Sequence, residues 1–196
     1  MENFDIYLIG VGGQGIGLLS EVLTRAAFYS QTDVKAVDTH GLAQRGGTVT
    51  SQIKLGQAFT PLISGHNADL VLALEINEAL RGMNTHLKDG GTLVYYDTEW
   101  QPLSVRLKEK QQDVKKAIAE EAERRNIRKI GTYKEDLDDP RMENVVVLAT
   151  LSREKLIPEI KEAHIKKAME DLMPPKILQK NLKVFEEEKA NFSRRE

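Results

Sequence analysis

Two short glycine-rich stretches carry the residues with chemical potential in this 196-residue chain. The first, IGVGGQGIG, holds Gly10, Gly12, Gly13 and Gly15 around Gln14; the second, THGLAQRGG, holds His40, Gln44 and Arg45 before Gly46 and Gly47. Glycine tolerates positive φ and lets backbone approach a ligand closely, and a helix starting behind such a loop offers free N–H groups and a positive dipole end. An anionic phosphate or carboxylate is the ligand that such a loop favours. The alternative is a tight turn whose glycines serve only close packing. In the second stretch the guanidinium of Arg45 suits bidentate pairing with a carboxylate or phosphate. His40 can accept or donate a proton near neutral pH. No nucleophile or second acid–base group stands beside His40, so binding or an interface is favoured over proton transfer by this chain alone.

The first loop needs a strand before it and a helix after it, and the pattern supplies both. Phe4 to Ile9 is a short apolar run stopped by glycine, and Leu19, Val22, Leu23 and Ala26 then recur at helical spacing. Gly10-x-Gly12-x-x-Gly15 in that context is a dinucleotide spacing, and Asp38, at the end of the next strand candidate, stands where an acidic partner for a ribose belongs. Gln14 fits this reading poorly, because it sets an amide where the loop would face the ligand. Further strands are expected at Val34–Val37, Val49–Leu55, Leu70–Leu74, Thr92–Tyr96 and Val145–Ala149, with a turn at Gly90-Gly91. The Val49–Leu55 strand follows its predecessor without an obvious helix, which allows an antiparallel departure. Helices are expected over Asn77–Leu87 and along the charged Leu107–Asn126 segment, whose apolar stripe is Val114, Ile118 and Ala122. Beyond Ala149 the chain reads as helical: Pro158 suits a first turn, and Pro174-Pro175 ends one helix and starts another. The expectation is an α/β fold, a Rossmann-like, mostly parallel sheet with helices on both faces and a C-terminal helical pair, in a single domain over 1–196.

Bulk composition narrows the function. A net charge of -2 argues against nucleic-acid binding. The absence of cysteine excludes disulfides and thiolate-held zinc or iron–sulfur clusters in this chain. No histidine–carboxylate spacing marks a metal site. His66 and Asn67 are candidates to approach the glycine loops, whereas His86 and His164 fall in helical segments, and Trp100 carries no signal by itself. The N-terminus reads as no signal peptide and no apolar run nears the ~20 residues of a membrane span, so a cytoplasmic protein without membrane association is expected.

Together GVGGQGIG and THGLAQRGGTVTSQIKLG, supported by Ala68-Asp69, LKDGGTLVYYD (Leu87–Asp97) and the C-terminal EAHIKKAM and QKNLKVFEEEKA, resemble the gamma subunit or gamma domain of the 2-oxoacid:ferredoxin oxidoreductases. Within that family the resemblance runs to the small, beta-named subunit of the indolepyruvate enzymes, and it covers essentially the whole chain. It implies one part of an enzyme that oxidatively decarboxylates a 2-oxoacid with coenzyme A, giving acyl-CoA and reduced ferredoxin. It also implies that thiamine diphosphate, magnesium and iron–sulfur clusters sit in a partner subunit, none being held by this chain alone. Carried over by residue, Gly10, Gly12, Gly13, Gln14 and Gly15 match the first motif, and His40, Gln44, Arg45, Gly46 and Gly47 the second. His40 and Arg45 are the expected catalytic candidates, and the remaining eight the expected cofactor-binding set. A stand-alone NAD(P)-binding oxidoreductase using Asp38 and a non-enzymatic ligand-sensing module are the alternatives.

Overall fold

A computed structural model describes residues 3–39, 47–100 and 113–190. Its spine is β1 (Phe4–Val11), buried along almost its whole length, as befits a strand covered on both faces. The chain then turns through the glycines into α1 (Ile16–Tyr29), whose Leu19, Val22, Leu23 and Ala26 face inward as the periodicity anticipates. There follow β2 (Val34–Thr39), β3 (Thr48–Leu55), β4 (Ala68–Ala73), α2 (Ile76–Thr85), β5 (Leu87–Tyr96), α3 (Val114–Arg124) and β6 (Arg128–Thr132). A short 3-10 turn (Pro140–Met142) leads into α4 (Glu143–Glu154), and α5 (Glu162–Leu172) and α6 (Pro175–Ala190) close the described chain.

The sheet order is β2-β3-β1-β4-β5-β6. The pairs β1–β4, β4–β5 and β5–β6 are parallel, whereas β3 runs antiparallel to both of its neighbours, with Val11 opposite Thr48 and Thr39 opposite Thr50. The departure expected at Val49–Leu55 is therefore real, and it has a topological reason. Helix α1 carries the chain past one strand position before β2, and β3 returns by a hairpin to fill the gap. One face of the sheet packs Ile6, Leu8, Leu70, Leu72 and Val94 against α1, α4 and the C-terminal α5 and α6. The other packs Ile9, Val71, Ala73 and Leu93 against α2 and α3. In α3 the buried residues are Ile118 and Ala122, the anticipated stripe, and Asp113 caps it by accepting from the backbone N–H of Lys116 at 3.1 Å.

Three expectations fail. Val145–Ala149 is not a strand but the middle of α4, whose residues from Glu143 to Leu151 are all buried. A helix wrapped by sheet and helices loses its polar face, and a short continuous apolar run then looks the same as a buried strand. The edge strand is instead Arg128–Thr132 (RKIGT), too short and too charged to announce itself. Gly90-Gly91 is no turn; both lie inside β5, where the parallel register shifts between Ala68 and Leu70. Pro158 also lies before, not within, the first turn of α5, while Pro175 opens α6 as expected.

At the end of the sheet opposite the glycine loops, Arg125 is buried with its guanidinium donating to the carbonyls of Met83 (2.7 Å) and Leu87 and to Asp89 (2.6 Å). It ties the end of α2 and the start of β5 to α3. Because Asp89 is largely exposed, the carbonyl contacts dominate. Arg125→Met is expected to destabilise the chain by about 2–4 kcal/mol in chemical denaturation, since it strands buried acceptors. Asp89→Ala should cost much less in the same measurement.

Candidate functional site

All five parallel strands point one way, so the glycine turn after β1, the ends of β4 and β5 and the starts of α1, α2 and α4 gather at one sheet edge. Because β3 is antiparallel, its beginning lies there too. The backbone N–H of Gly12 donates to the carbonyl of Gly47 at 2.9 Å, which joins the two glycine loops directly. Gly10, Gly12, Gly13, Gln14, Gly15 and Gly47 are thus brought together, while His40, Gln44, Arg45 and Gly46 lie outside the described residues. Gly13 and Gly15 adopt φ of 106° and 87°, the left-handed region where an L side chain is strained. At Gly15 a Cβ would also sit 2.7 Å from the side-chain nitrogen of Asn144. Gly10, within β1, needs its smallness for packing, since a Cβ would press on Ile16 at 3.0 Å. At Gly13 the space beyond the backbone is open.

Gln14 is not where the sequence put it. It is fully buried and points away from the open side of the turn. Its Oε1 accepts from the Val11 N–H at 2.8 Å, and its Nε2 donates to the Leu74 carbonyl at 2.7 Å and to Glu143 Oε2 at 3.1 Å. Both amide hydrogens are used, so the side chain is a clamp for the turn and has no donor left for a ligand. The reason is the turn itself: it exposes the Val11 N–H beside the Leu74 carbonyl, just beyond the end of β4, and one amide answers both.

Three buried glutamates lie at the starts of α2 and α4, and one of them, Glu143, touches this clamp. Glu75 caps α2, accepting from the Glu78 N–H at 2.8 Å and from the Asn77 side chain at 2.7 Å, while the Trp100 backbone N–H approaches at 3.4 Å. Glu78 accepts from Thr48 Oγ1 at 3.2 Å and lies 3.4 Å from Arg81 Nε; burial raises its carboxyl above the usual range, against the pull of Arg81 and Thr48. Glu143 is pushed up to about 7 by burial, opposed by hydrogen bonds from Gln14 and the Trp100 indole. None of these was singled out in the sequence as a site residue. Gln14 and Glu143 are 129 positions apart, a separation that no local pattern bridges. The one local hint was Glu75 three residues before Glu78 at the end of an apolar run, an N-cap spacing. Among the described residues no group of three or more acidic or histidine side chains is placed to hold a metal ion.

Two other expectations are settled by direction. His66 and Asn67 precede a parallel strand and therefore sit at the opposite end from the glycine loops, where His66 approaches Arg125 at 3.5 Å. Asp38, required for the ribose in the dinucleotide reading, lies on β2, and the whole of β3 stands between β2 and β1. Two strand spacings amount to about 10 Å. Its carboxylate instead accepts from Ser20 on α1 at 3.1 Å. The arrangement is an anion-friendly turn at the carboxyl edge without the acidic partner of a dinucleotide site.

The model of the pyruvate ferredoxin/flavodoxin oxidoreductase family matches residues 5–188, and the chain belongs to that family. Indolepyruvate oxidoreductase subunit IorB of Methanothermobacter thermautotrophicus is 43% identical over 81 residues, an alignment spanning 41% of this chain and 41% of that protein. The IorB subunit of Thermococcus kodakarensis is 29% identical over 192 residues, covering 95% of this chain and 94% of the relative. Among solved structures, the gamma subunit of a keto/oxoacid ferredoxin oxidoreductase from Geobacter sulfurreducens superposes with a TM-score of 0.65 at 20% identity, over 95% of this chain and 96% of that one. A 2-oxoglutarate:ferredoxin oxidoreductase from Magnetococcus marinus, solved with 2-oxoglutarate, coenzyme A and succinyl-CoA bound, gives a TM-score of 0.65 at 19% identity; the match covers 97% of this chain but 31% of that longer one. The fold is shared with both.

The clamp makes a prediction about stability. Gln14→Ala leaves the Val11 N–H, the Leu74 carbonyl and Glu143 buried without their partner and is expected to cost about 3 kcal/mol in denaturant titration. Gly17→Ala, whose added Cβ meets nothing within 4 Å, should raise stability by up to about 1 kcal/mol.

Proposed function

We propose that this chain is the IorB-type, gamma-like subunit of a 2-oxoacid:ferredoxin oxidoreductase, a single gamma-type domain over 1–196 acting in the cytoplasm. The complex would take indolepyruvate or a related aryl pyruvate. It would release carbon dioxide, join the acyl group to the sulfur of coenzyme A and pass the electron pair to ferredoxin. The observation that carries the reading is the union of the two family loops at the carboxyl edge, Gly12 to Gly47, in a chain matched by the family model over nearly its whole length.

Thiamine diphosphate, magnesium and iron–sulfur clusters belong to a partner subunit in this reading. With no cysteine, the chain lacks the thiolates that hold such clusters. Its own contribution is binding and orientation. The N–H groups at the start of α1 and the open backbone of Gly13, flanked by Gly12 and Gly15, suit an anionic group such as the diphosphate of coenzyme A. In this proposal Arg45 pairs with a phosphate or carboxylate and His40 holds or moves a proton, with Gln44, Gly46 and Gly47 forming the rest of the second loop. Gln14 and Gly10 serve by holding the turn rather than by touching the ligand.

The test is co-expression with a thiamine- and cluster-containing partner chain, purification of the complex and a viologen-reduction assay with coenzyme A. Aryl pyruvates are expected to support reduction faster than pyruvate, branched 2-oxoacids or 2-oxoglutarate; a complex that reduces viologen with none of them refutes the proposal. In that complex Arg45→Ala is expected to lower turnover at least tenfold, which equals about 1.4 kcal/mol in the barrier. The melting temperature of the isolated chain should barely change.

A further inference from the structure

Between α3 and the last two strands lies a cleft of about 850 Å³, lined by none of the glycine-loop residues. Its floor is Tyr95 of β5. In the parallel register Tyr95 stands opposite Gly131 of β6, and a Cβ at Gly131 would lie 3.0 Å from the phenol Cζ and Oη. Glycine at this position lets the ring lie across the edge strand, where a larger residue would press on it. Tyr95 packs against the cluster that holds Leu93 and Ile118, yet it stays half-buried and lines the cleft. Its hydroxyl has no hydrogen-bond partner among the described residues.

The walls are basic. Lys115 and Lys116 come from the first turn of α3, and Lys129 lies on the same face of β6 as Gly131. The two carboxylates that share the cleft are already engaged. Asp97 accepts from Lys115 at 2.7 Å, and Asp113 caps α3 by accepting from the Lys116 N–H at 3.1 Å. Lys116 has only the exposed Glu120 at 3.8 Å, and Lys129 meets no carboxylate among the described residues. Exposed lysines by themselves are ordinary solvated charges. Here they border an aromatic ring with an unpaired hydroxyl, in a concavity of ligand size.

We propose that this cleft binds an organic anion, a flat aromatic ring joined to a phosphate or carboxylate. The ligand's ring stacks on Tyr95, and its anionic group takes Lys116, Lys129 and the Tyr95 hydroxyl as donors. A lone phosphate would fill little of the space, whereas ligands of nucleotide size occupy pockets of roughly 300–1,000 Å³. None of the residues involved belongs to either glycine loop, so binding here is independent of the function proposed above.

Titration of the ¹⁵N-labelled full chain with ADP, and separately with indole-3-acetate, tests the site and separates the two sources of the anion. At least one of them is expected to bind with a micromolar dissociation constant and to move the amide resonances of Lys115, Lys129 and Gly131. The parts of that ligand (inorganic diphosphate and adenosine, or acetate and indole) should each bind at least about tenfold more weakly. Lys129→Glu, a change at an exposed side chain, is expected to weaken binding by about tenfold while leaving the melting temperature unchanged. Tyr95→Leu removes the stacking ring and should weaken binding to a similar degree; if it does not fold, Lys129→Glu decides. The proposal is overturned if neither ligand binds below millimolar concentration, if diphosphate or acetate alone binds as tightly as the whole ligand, or if Lys129→Glu keeps full affinity. Resonance shifts confined to the Gly12–Gly15 turn overturn it as well, while leaving that turn as an anion site.

Discussion

The amide of Gln14 is the constraint on which the carboxyl edge depends. A glycine turn at the end of a buried strand leaves N–H and C=O groups without regular partners, and such groups cost heavily when unpaired. Gln14 supplies both a donor and an acceptor from one side chain, serving Val11, Leu74 and Glu143 at once. The turn can then stay open on its outer side, at Gly13, because its inner side is closed. No shorter polar residue spans the three partners, and no charged one carries both a donor and an acceptor here.

A second constraint is the position of β3. Its insertion between β1 and β2 carries Asp38 away from the glycine turn and carries Gly47 up against it. The same strand thereby removes the acidic partner of a dinucleotide site and replaces it with the end of the second glycine loop. A chain whose sequence spacing fits NAD is converted by one antiparallel strand into a surface where two family motifs meet.

Buried carboxyls at the same edge show how the fold tolerates functional geometry. Glu75 is stabilised by helix-capping donors, and Glu78 by Thr48 and Arg81, so each has a local reason to be there. Glu143 has neutral partners and a raised titration, and its place at the start of α4 comes from packing of the whole helix into the core. The apolar run that follows it, VVVLA, drives that packing. The residues that mislead as a strand are thus the ones that deliver Glu143 to the edge.

Much was legible in the chain itself. The apolar β1 followed by glycines and a 3.6-residue period specified strand, turn and α1, because those periods are local properties of the backbone. The missing helix before Val49–Leu55, which allowed an antiparallel strand, the stripe of α3 and the break at Pro174-Pro175 were equally local. The pairing of GVGGQGIG with THGLAQRGG pointed to the family before any coordinates. What tertiary structure alone decided is the direction in which side chains point and which distant elements meet. It turned Gln14 inward, set β3 between Asp38 and the loop, sent His66 to the far end of the sheet and made Val145–Ala149 a helix. Each of these depends on contacts across many tens of residues, where burial and hydrogen-bond satisfaction override local pattern.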